Sequence, residues 1–413
     1  MAAFRRARIE ELCELVTDGT HDSPKLQKEG VPFIKGKNIS SSRVDFAKCD
    51  FITQEDHKEA CRRVKPQRGD ILFSNIGSVG DTAVVNDDRE FSIKNVALFR
   101  PDRRKVDQGY FYYLVLSPEF RSNVMNVRSG SAQPFISLAN LRSLEVSYVE
   151  DAGEQRRIAG ILSAYDELME NSQRRIKILE AMARALYREW FVHFRFPGHE
   201  KNPLVDSPLG KIPKGWEVKK LSELVSTQYG YTESTNESPV GPKYLRGMDM
   251  NKTSYIDWSQ VPYCPISAED KEFYAVKKGD VFVIRMADPG KVGIAEHDVD
   301  AVFASYLIRV RPADERLHPY FLFHLLDSPS YQSFISGAAT GTTRKSASAG
   351  VITDFQFALP PKELVAEFEV RATTIREMLT TLLQQIQNLR RTRDLLLPRL
   401  LSGQVELASQ TSN

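Results

Sequence analysis

The 413-residue sequence is short of cysteine, of long apolar runs and of net charge. Its four cysteines, Cys13, Cys49, Cys61 and Cys264, stand far apart with no CxxC pair. That argues against a disulfide framework or a zinc site and fits a reducing compartment. No stretch approaches the ~20 apolar residues that a bilayer span requires. The basic start, MAAFRRARIEELCELV, lacks the continuous apolar run of a signal peptide, so the expected localisation is cytoplasmic. The formal charge is only +2 and the isoelectric point 8.2, whereas a dedicated nucleic-acid domain often exceeds ~9. If this chain binds DNA, its positive field must be local or be supplemented by partners.

Catalytic equipment is missing as well. The only Pro-Pro pair, Pro360 and Pro361, is followed by Lys362 instead of the aromatic residue of an amino-methyltransferase turn. GKIPKGW (210–216) has Trp where a phosphate-binding loop needs Lys. Asp257, Glu269 and Lys271 spell a loose nuclease pattern that arises readily by chance. His21, His57, His193, His199, His297, His318 and His324 form neither HExxH nor a Cys/His zinc spacing. GSVG (77–80) has no following Lys and reads as a hairpin turn. No catalytic, cofactor or metal site is expected in this chain.

What the sequence does have is a repeat. RGDILFSNIGSVG (68–80) parallels KGDVFVIRMADPG (278–290), and further pairs keep the same spacing. PFIKGKNIS (32–40) matches KYLRGMDMN (243–251), NVALFRP (95–101) matches YLIRVRP (306–312), and SGSAQ (129–133) matches TGTTR (340–344). The offsets all lie within 209–211, so two copies of one domain are expected and a solenoid is not. Each copy opens with short apolar-aromatic runs broken by Gly, Pro and Asn. DILFSNI, TAVV, DVFVIRM and YLIRVR read as strands, and GYFYYLVL and PYFLFHLL as helices.

Each copy then changes texture. Leu162, Tyr165, Met169, Ser172, Ile176, Leu179, Ala183, Leu186, Trp190 and His193 step by threes and fours. So do Ala372, Ile375, Leu379, Leu382, Ile386, Leu389, Arg393, Leu396 and Leu400. A sustained 3-4 stripe is a coiled-coil seam, and two seams in matched phase predict that the helices pair with each other. Pro398 falls inside the second stripe, where a kink or restart is expected. The Pro-rich segment around 197–212 reads as a linker.

The expected class is therefore α+β: a tandem duplication of a mixed α/β domain followed by a long helix. The boundaries are domain 1 at 1–150, central helix 151–196, linker 197–212, domain 2 at 213–360, distal helix 361–403 and tail 404–413. Antiparallel pairing of the helices gives pseudo-twofold symmetry, which suits the twofold axes of duplex DNA. The residues alone leave two readings open. One is a DNA-recognition adaptor; the other is a coiled-coil scaffold that spaces two protein-binding domains and touches no DNA. Salt-dependent binding of duplex DNA separates them.

VTDGTHDSP (16–24) with VPFIKGKNIS (31–40), the two RGD/KGD phrases, EQRRIAGILSAYDELMENSQRRIKILEAMARALYREWF (154–191) and LLLPRLLSGQVEL (395–407) together resemble the specificity subunit of type I restriction–modification enzymes. The resemblance covers nearly the whole chain. It implies a subunit without catalytic activity, in which each recognition domain reads half of a split DNA target and the coiled coil fixes the gap. It also implies two methyltransferase subunits as partners, using S-adenosylmethionine to methylate adenine at N6. ATP- and magnesium-dependent restriction subunits are the further partners it suggests.

Base reading needs forked donors and amides on exposed loops. Residues 35–68 hold nine Lys/Arg against five Asp/Glu. The candidate DNA-binding residues of the first half are Lys35, Lys37, Asn38, Arg43, Asn75, Ser78, Arg128, Ser131 and Gln133. Those of the second are Tyr229, Tyr231, Arg246, Asp249, Arg285, Asp288, Lys291, Thr342, Thr343, Arg344 and Lys345.

Overall fold

The computed structural model describes residues 3–39, 42–129, 134–339 and 345–405. The chain divides into two compact units, one made of residues 1–170 with 387–413 and the other of residues 171–386. Only the second unit is a continuous stretch, and neither is closed by its own helix alone, because each takes part of both long helices.

The first unit carries a five-stranded sheet in the order Cys13–Asp18, Ala97–Pro101, Ile71–Phe73, Thr82–Val84, Ser42–Arg43. A three-stranded sheet (Asp50–Ile52, Val31–Ile34, Ser92–Ile93) and the antiparallel pair Phe4–Arg8 with Glu145–Val149 complete it. The second unit repeats the plan with Val225–Tyr229, Leu307–Pro312, Val281–Ile284 and Val292–Ile294, then Lys243–Leu245 beside Ala301–Phe303, then Glu217–Lys220 with Gln356–Leu359. The phrases ILF and VFVI are completely buried central strands, which explains why their apolar runs do not alternate.

The repeated Gly-Asp has a structural cause. Gly69 and Gly279 turn at φ +98° and +88°, a region that a side chain rarely tolerates. Asp70 accepts the Gln67 N–H at 2.8 Å and holds the Arg100 guanidinium with two 2.8 Å bonds. Asp280 does the same for the Lys277 N–H and Arg311. The buried carboxylate thus ties the turn to the neighbouring strand in both copies.

The central helix runs Ala152–Tyr187 and the distal helix Lys362–Leu401. In the first unit, Arg393 pairs with Asp166 at 2.5 Å, and the same carboxylate accepts the Tyr113 hydroxyl at 2.6 Å. In the second, the Tyr187 and Phe368 rings lie 6.0 Å apart. Later residues of the central helix meet earlier residues of the distal one, so the pair is antiparallel. Leu162, Met169, Ile176, Leu179, Trp190, Leu379, Leu382, Ile386 and Leu400 are buried as the stripe requires.

The stripe departs from expectation at several positions, which are half-buried or exposed. Leu186, Ile375 and Leu396 are half-buried while their neighbours Tyr187, Arg376 and Leu397 are buried. Tyr165 and Leu389 are also half-buried. A helix of 3.6 residues per turn drifts against a strict seven-residue repeat, and these helices bury a second face against their own globular domain. His193 is exposed, because the central helix widens into a π turn over Arg188–Val192 and rotates it away. Pro398 does not interrupt the distal helix, which continues to Leu401, with the Ser402 N–H donating to the Pro398 carbonyl at 3.0 Å. So close to the end, proline removes one helical bond without stopping the chain. The linker is likewise more ordered than its prolines suggest: Leu204–Ser207 and Gly210–Pro213 form a hairpin.

Two titrating groups join the distal helix to the second domain with opposite signs. His324 is buried beside Tyr187 and Phe368; burial, with help from Arg376 and Arg184, pushes its imidazole down to about 3. Glu369 accepts the Tyr320 and Phe321 N–H groups at 3.1 and 3.2 Å, capping Pro319–Asp327 from another element. Burial pushes its carboxyl up to about 7, against those two bonds. The neutral histidine stabilises the fold above 6.5, and that contribution is lost as pH falls. The protonated glutamic acid stabilises it below 4.5, and that contribution is lost as pH rises through 7. Between 4.5 and 6.5 the two trends oppose each other. Glu369→Gln removes one of them. In urea titrations, the variant should lose about 1.4 kcal/mol per pH unit relative to wild type as pH falls across that window.

Candidate nucleic-acid interface

The same backbone frame occurs in both units. After the buried central strand, the Ile136 N–H donates to the Asn75 carbonyl at 2.9 Å and the Gly77 N–H to Pro134 at 2.9 Å. In the second unit the Ala347 N–H donates to Arg285 at 2.9 Å and the Ala287 N–H to Lys345 at 3.0 Å. The turn that follows the repeated phrase is thereby stapled to the polar loop of its own unit. Opposite it lies a 3-10 turn, Gly36–Asn38 or Gly247–Asp249. The side chain of its last residue folds back onto the chain. Asn38 Oδ1 accepts the Lys35 N–H at 3.1 Å, and Asp249 Oδ2 accepts the Arg246 N–H at 2.8 Å.

Between turn and 3-10 turn, each unit opens a cleft. The first, about 300 Å³, is lined by Lys35, Lys37, Ser74, Ser78, Lys94 and Asn95. The second, about 600 Å³, is lined by Arg246, Met248, Ile284, Met286, Asp288 and Tyr306 among others. Most of these stand at matched places: Lys35 with Arg246, Lys37 with Met248, Ser74 with Ile284 and Ser78 with Asp288. One cleft is rich in cations and hydroxyls; the other is largely apolar, with one arginine and two exposed carboxylates, Glu233 and Asp288. Lys35 and Lys37 flank Asp50 at 2.8 and 3.3 Å, and the Lys35 hydrogen bond, with that of Lys37, holds its carboxyl below the usual range. Arg246 is held by two bonds to Asp249, at 3.0 and 2.8 Å, which fixes the plane of its guanidinium.

The sequence-predicted residues divide accordingly. Lys35, Lys37 and Ser78 line the first cleft, and Arg246 and Asp288 the second. Asn38 does not face a ligand: it is buried, and its amide nitrogen is committed to the Asp45 and Lys48 carbonyls. Asn75 is buried too, donating to the Ile136 carbonyl at 3.4 Å. Asp249 holds Arg246 in place, and Arg43 pairs with Glu170 of the central helix. Arg285 stacks over the Tyr229 ring at 5.0 Å, and the Tyr229 hydroxyl accepts the Ala349 N–H. Tyr231 packs 5.3 Å from the Tyr274 ring. Lys291 lines a different groove, beside the central helix. Arg128 and Lys345 are exposed at the bases of the polar loops. Ser131, Gln133, Thr342, Thr343 and Arg344 lie outside the described residues.

Lys94, Asn95, Met248, Met286 and Tyr306 line the clefts and escaped the sequence reading. Lys94 and Asn95 stand at the start of the repeated stretch, where Ser305 and Tyr306 stand in the second copy. A contrast of that kind inside an otherwise matched stretch was the available signal. Among the described residues, no group of three or more His, Cys, Asp or Glu side chains could hold a metal ion. None of their helices is long and apolar enough to cross a membrane.

A family model described as the type I restriction modification DNA specificity domain matches residues 3–181 and again 213–395. Among individual relatives, the type I restriction enzyme MjaIX specificity subunit of Methanocaldococcus jannaschii is 24% identical, over 97% of this chain and 93% of its own. The HindI specificity subunit of Haemophilus influenzae is 23% identical over 91% and 94%. The crystal structure of an S subunit of a type I restriction–modification system from M. genitalium superposes with a TM-score of 0.58. It is 14% identical and covers 98% of this chain and 97% of that one, a likeness of fold.

Proposed function

Since this chain belongs to the type I restriction–modification DNA specificity family, whose specificity subunits are non-catalytic, we propose that it reads a bipartite sequence in duplex DNA. Each unit reads one half-site, and the chain directs two adenine-N6 methyltransferase subunits to it. S-adenosylmethionine belongs to those partners, as ATP and magnesium belong to restriction subunits where these join. The observation that carries the reading is the pair of clefts. One backbone frame is kept in two copies, while the side chains that line it are exchanged for others of different chemistry. A scaffold that only spaced two protein partners would have no need of that pattern.

The chemistry also gives the two halves different preferences. Lys35, Lys37 and Lys94 present donors, which suit the O6 and N7 acceptors of guanine in the major groove. Met248 and Met286 suit the thymine methyl, and Asp288 accepts from an exocyclic amine. The test is a methylation map from cells making the chain together with its methyltransferase. Lys37→Gln should relax a position in one half-site only, and Asp288→Asn a position in the other, each by about 1–3 kcal/mol of discrimination. Loss of selectivity in the same half-site from both variants would contradict the assignment, as would an unchanged motif in both.

A further inference from the structure

We propose that the groove between residues 173–184 of the central helix and the second domain binds the DNA backbone next to that domain's cleft. The inference rests on the reading of the chain as a duplex-DNA binder and adds a phosphate site to it. The groove encloses about 440 Å³. Lys177 comes from the helix, Lys252 from the loop after the 3-10 turn, and Lys291 from the start of the strand after the recognition turn. All three are exposed, and among the described residues none has a carboxylate partner. The carboxylates that share the groove are engaged: Glu180 accepts the Ser254 hydroxyl, and Asp327 pairs with Arg184 at 3.0 Å. Four cations therefore face two anions, an excess that no carboxylate among the described residues neutralises.

Two further observations point to a backbone ligand. Asn251 lines both this groove and the second cleft, so a duplex edge seated in the cleft would continue along the lysines. The repeated fold also does not require two of the lysines, because Gln387 and Asp81 occupy in the first unit the places of Lys177 and Lys291 in the second. Lysine is a flexible point charge without the guanidinium fork, which suits phosphate contacts that position a duplex without reading it.

The experiment uses the complex of the full chain with its methyltransferase and a labelled duplex carrying the methylated motif. Affinity is measured across a series of sodium chloride concentrations. The Lys177→Gln/Lys252→Gln/Lys291→Gln triple variant should flatten the slope of log K against log salt by about 2–3, because each phosphate contact contributes about 0.9. Its methylated motif should be unchanged. Lys201→Gln/Lys211→Gln/Lys214→Gln makes the same change in net charge in the linker and the first residues after it, and should keep the wild-type slope. A triple variant with the wild-type slope overturns the proposal. So does a linker control that flattens it equally, since the effect would then be one of net charge. A triple variant that loses the methyltransferase instead assigns the groove to a protein partner and also overturns it. A wild-type complex with no affinity for any duplex overturns this inference and the proposed function together.

Discussion

Truncation after Ile386 is expected to unfold the first unit, although every strand of that unit lies at least 237 residues upstream of the cut. Leu397, Leu400 and Leu401 are buried in one cluster with Ile9, Leu12, Tyr110 and Leu162. Burying a leucine contributes about 1.5–3 kcal/mol, so removing three forfeits roughly 5–9 kcal/mol, against a total domain stability of roughly 5–15 kcal/mol. The cut also removes Arg393 and leaves Asp166, itself only a quarter exposed, without its cation. Hydrogen exchange checks this. Amides of Ile71–Phe73 and Ala97–Pro101 should lose protection in the truncated chain, while those of Val281–Ile284 and Leu307–Pro312 keep theirs. Protection retained in the first pair of strands would show that the distal helix is an accessory to that core and no part of it.

Arg376→Ala should destabilise the second unit by about 3–5 kcal/mol, the usual cost of stranding one partner of a buried ion pair. The Arg376 side chain is 1% exposed and that of Glu296 7%. The guanidinium meets Glu296, the Ser254 hydroxyl at 3.1 Å and the Ser254 carbonyl at 2.9 Å, over the face of Phe323. Thr380 supplies a further donor to Glu296 at 3.2 Å. The network is how the distal helix grips the loop at Ser254, a few residues from the second cleft. Arg376→Met/Glu296→Leu, which removes both charges and restores apolar volume, should recover most of the loss. Urea unfolding of the two variants decides the matter. A double variant no better than the single one would mean that the packing of the arginine stem, and not the orphaned carboxylate, sets the cost.

That Arg376 was not foreseen illustrates what the sequence could and could not convey. Repetition was legible because fold requirements recur: the Gly-Asp turn, the buried strand and the helix stripe each appear twice at nearly constant offset. The stripe pointed to Ile375 instead of Arg376 because periodicity reports one packing face, and these helices bury two. Asn38 and Asn75 looked like base readers because their amides could serve, but an amide beside a turn is as readily used by the turn itself. Lys94 was missed for the opposite reason. Its place in the cleft depends on a parallel bridge between Thr20 and Lys94, a pairing across 74 residues that local pattern does not encode.

The measurement that bears most directly on the account is a base-modification map by long-read sequencing. DNA would come from cells making this chain with its methyltransferase, compared with cells making the methyltransferase alone. The account predicts a motif of two short specific blocks separated by a fixed unspecific gap, methylated on both strands and only when the chain is present. A single uninterrupted motif, or methylation that does not depend on the chain, would contradict the claim that its two repeats are two readers of one split target.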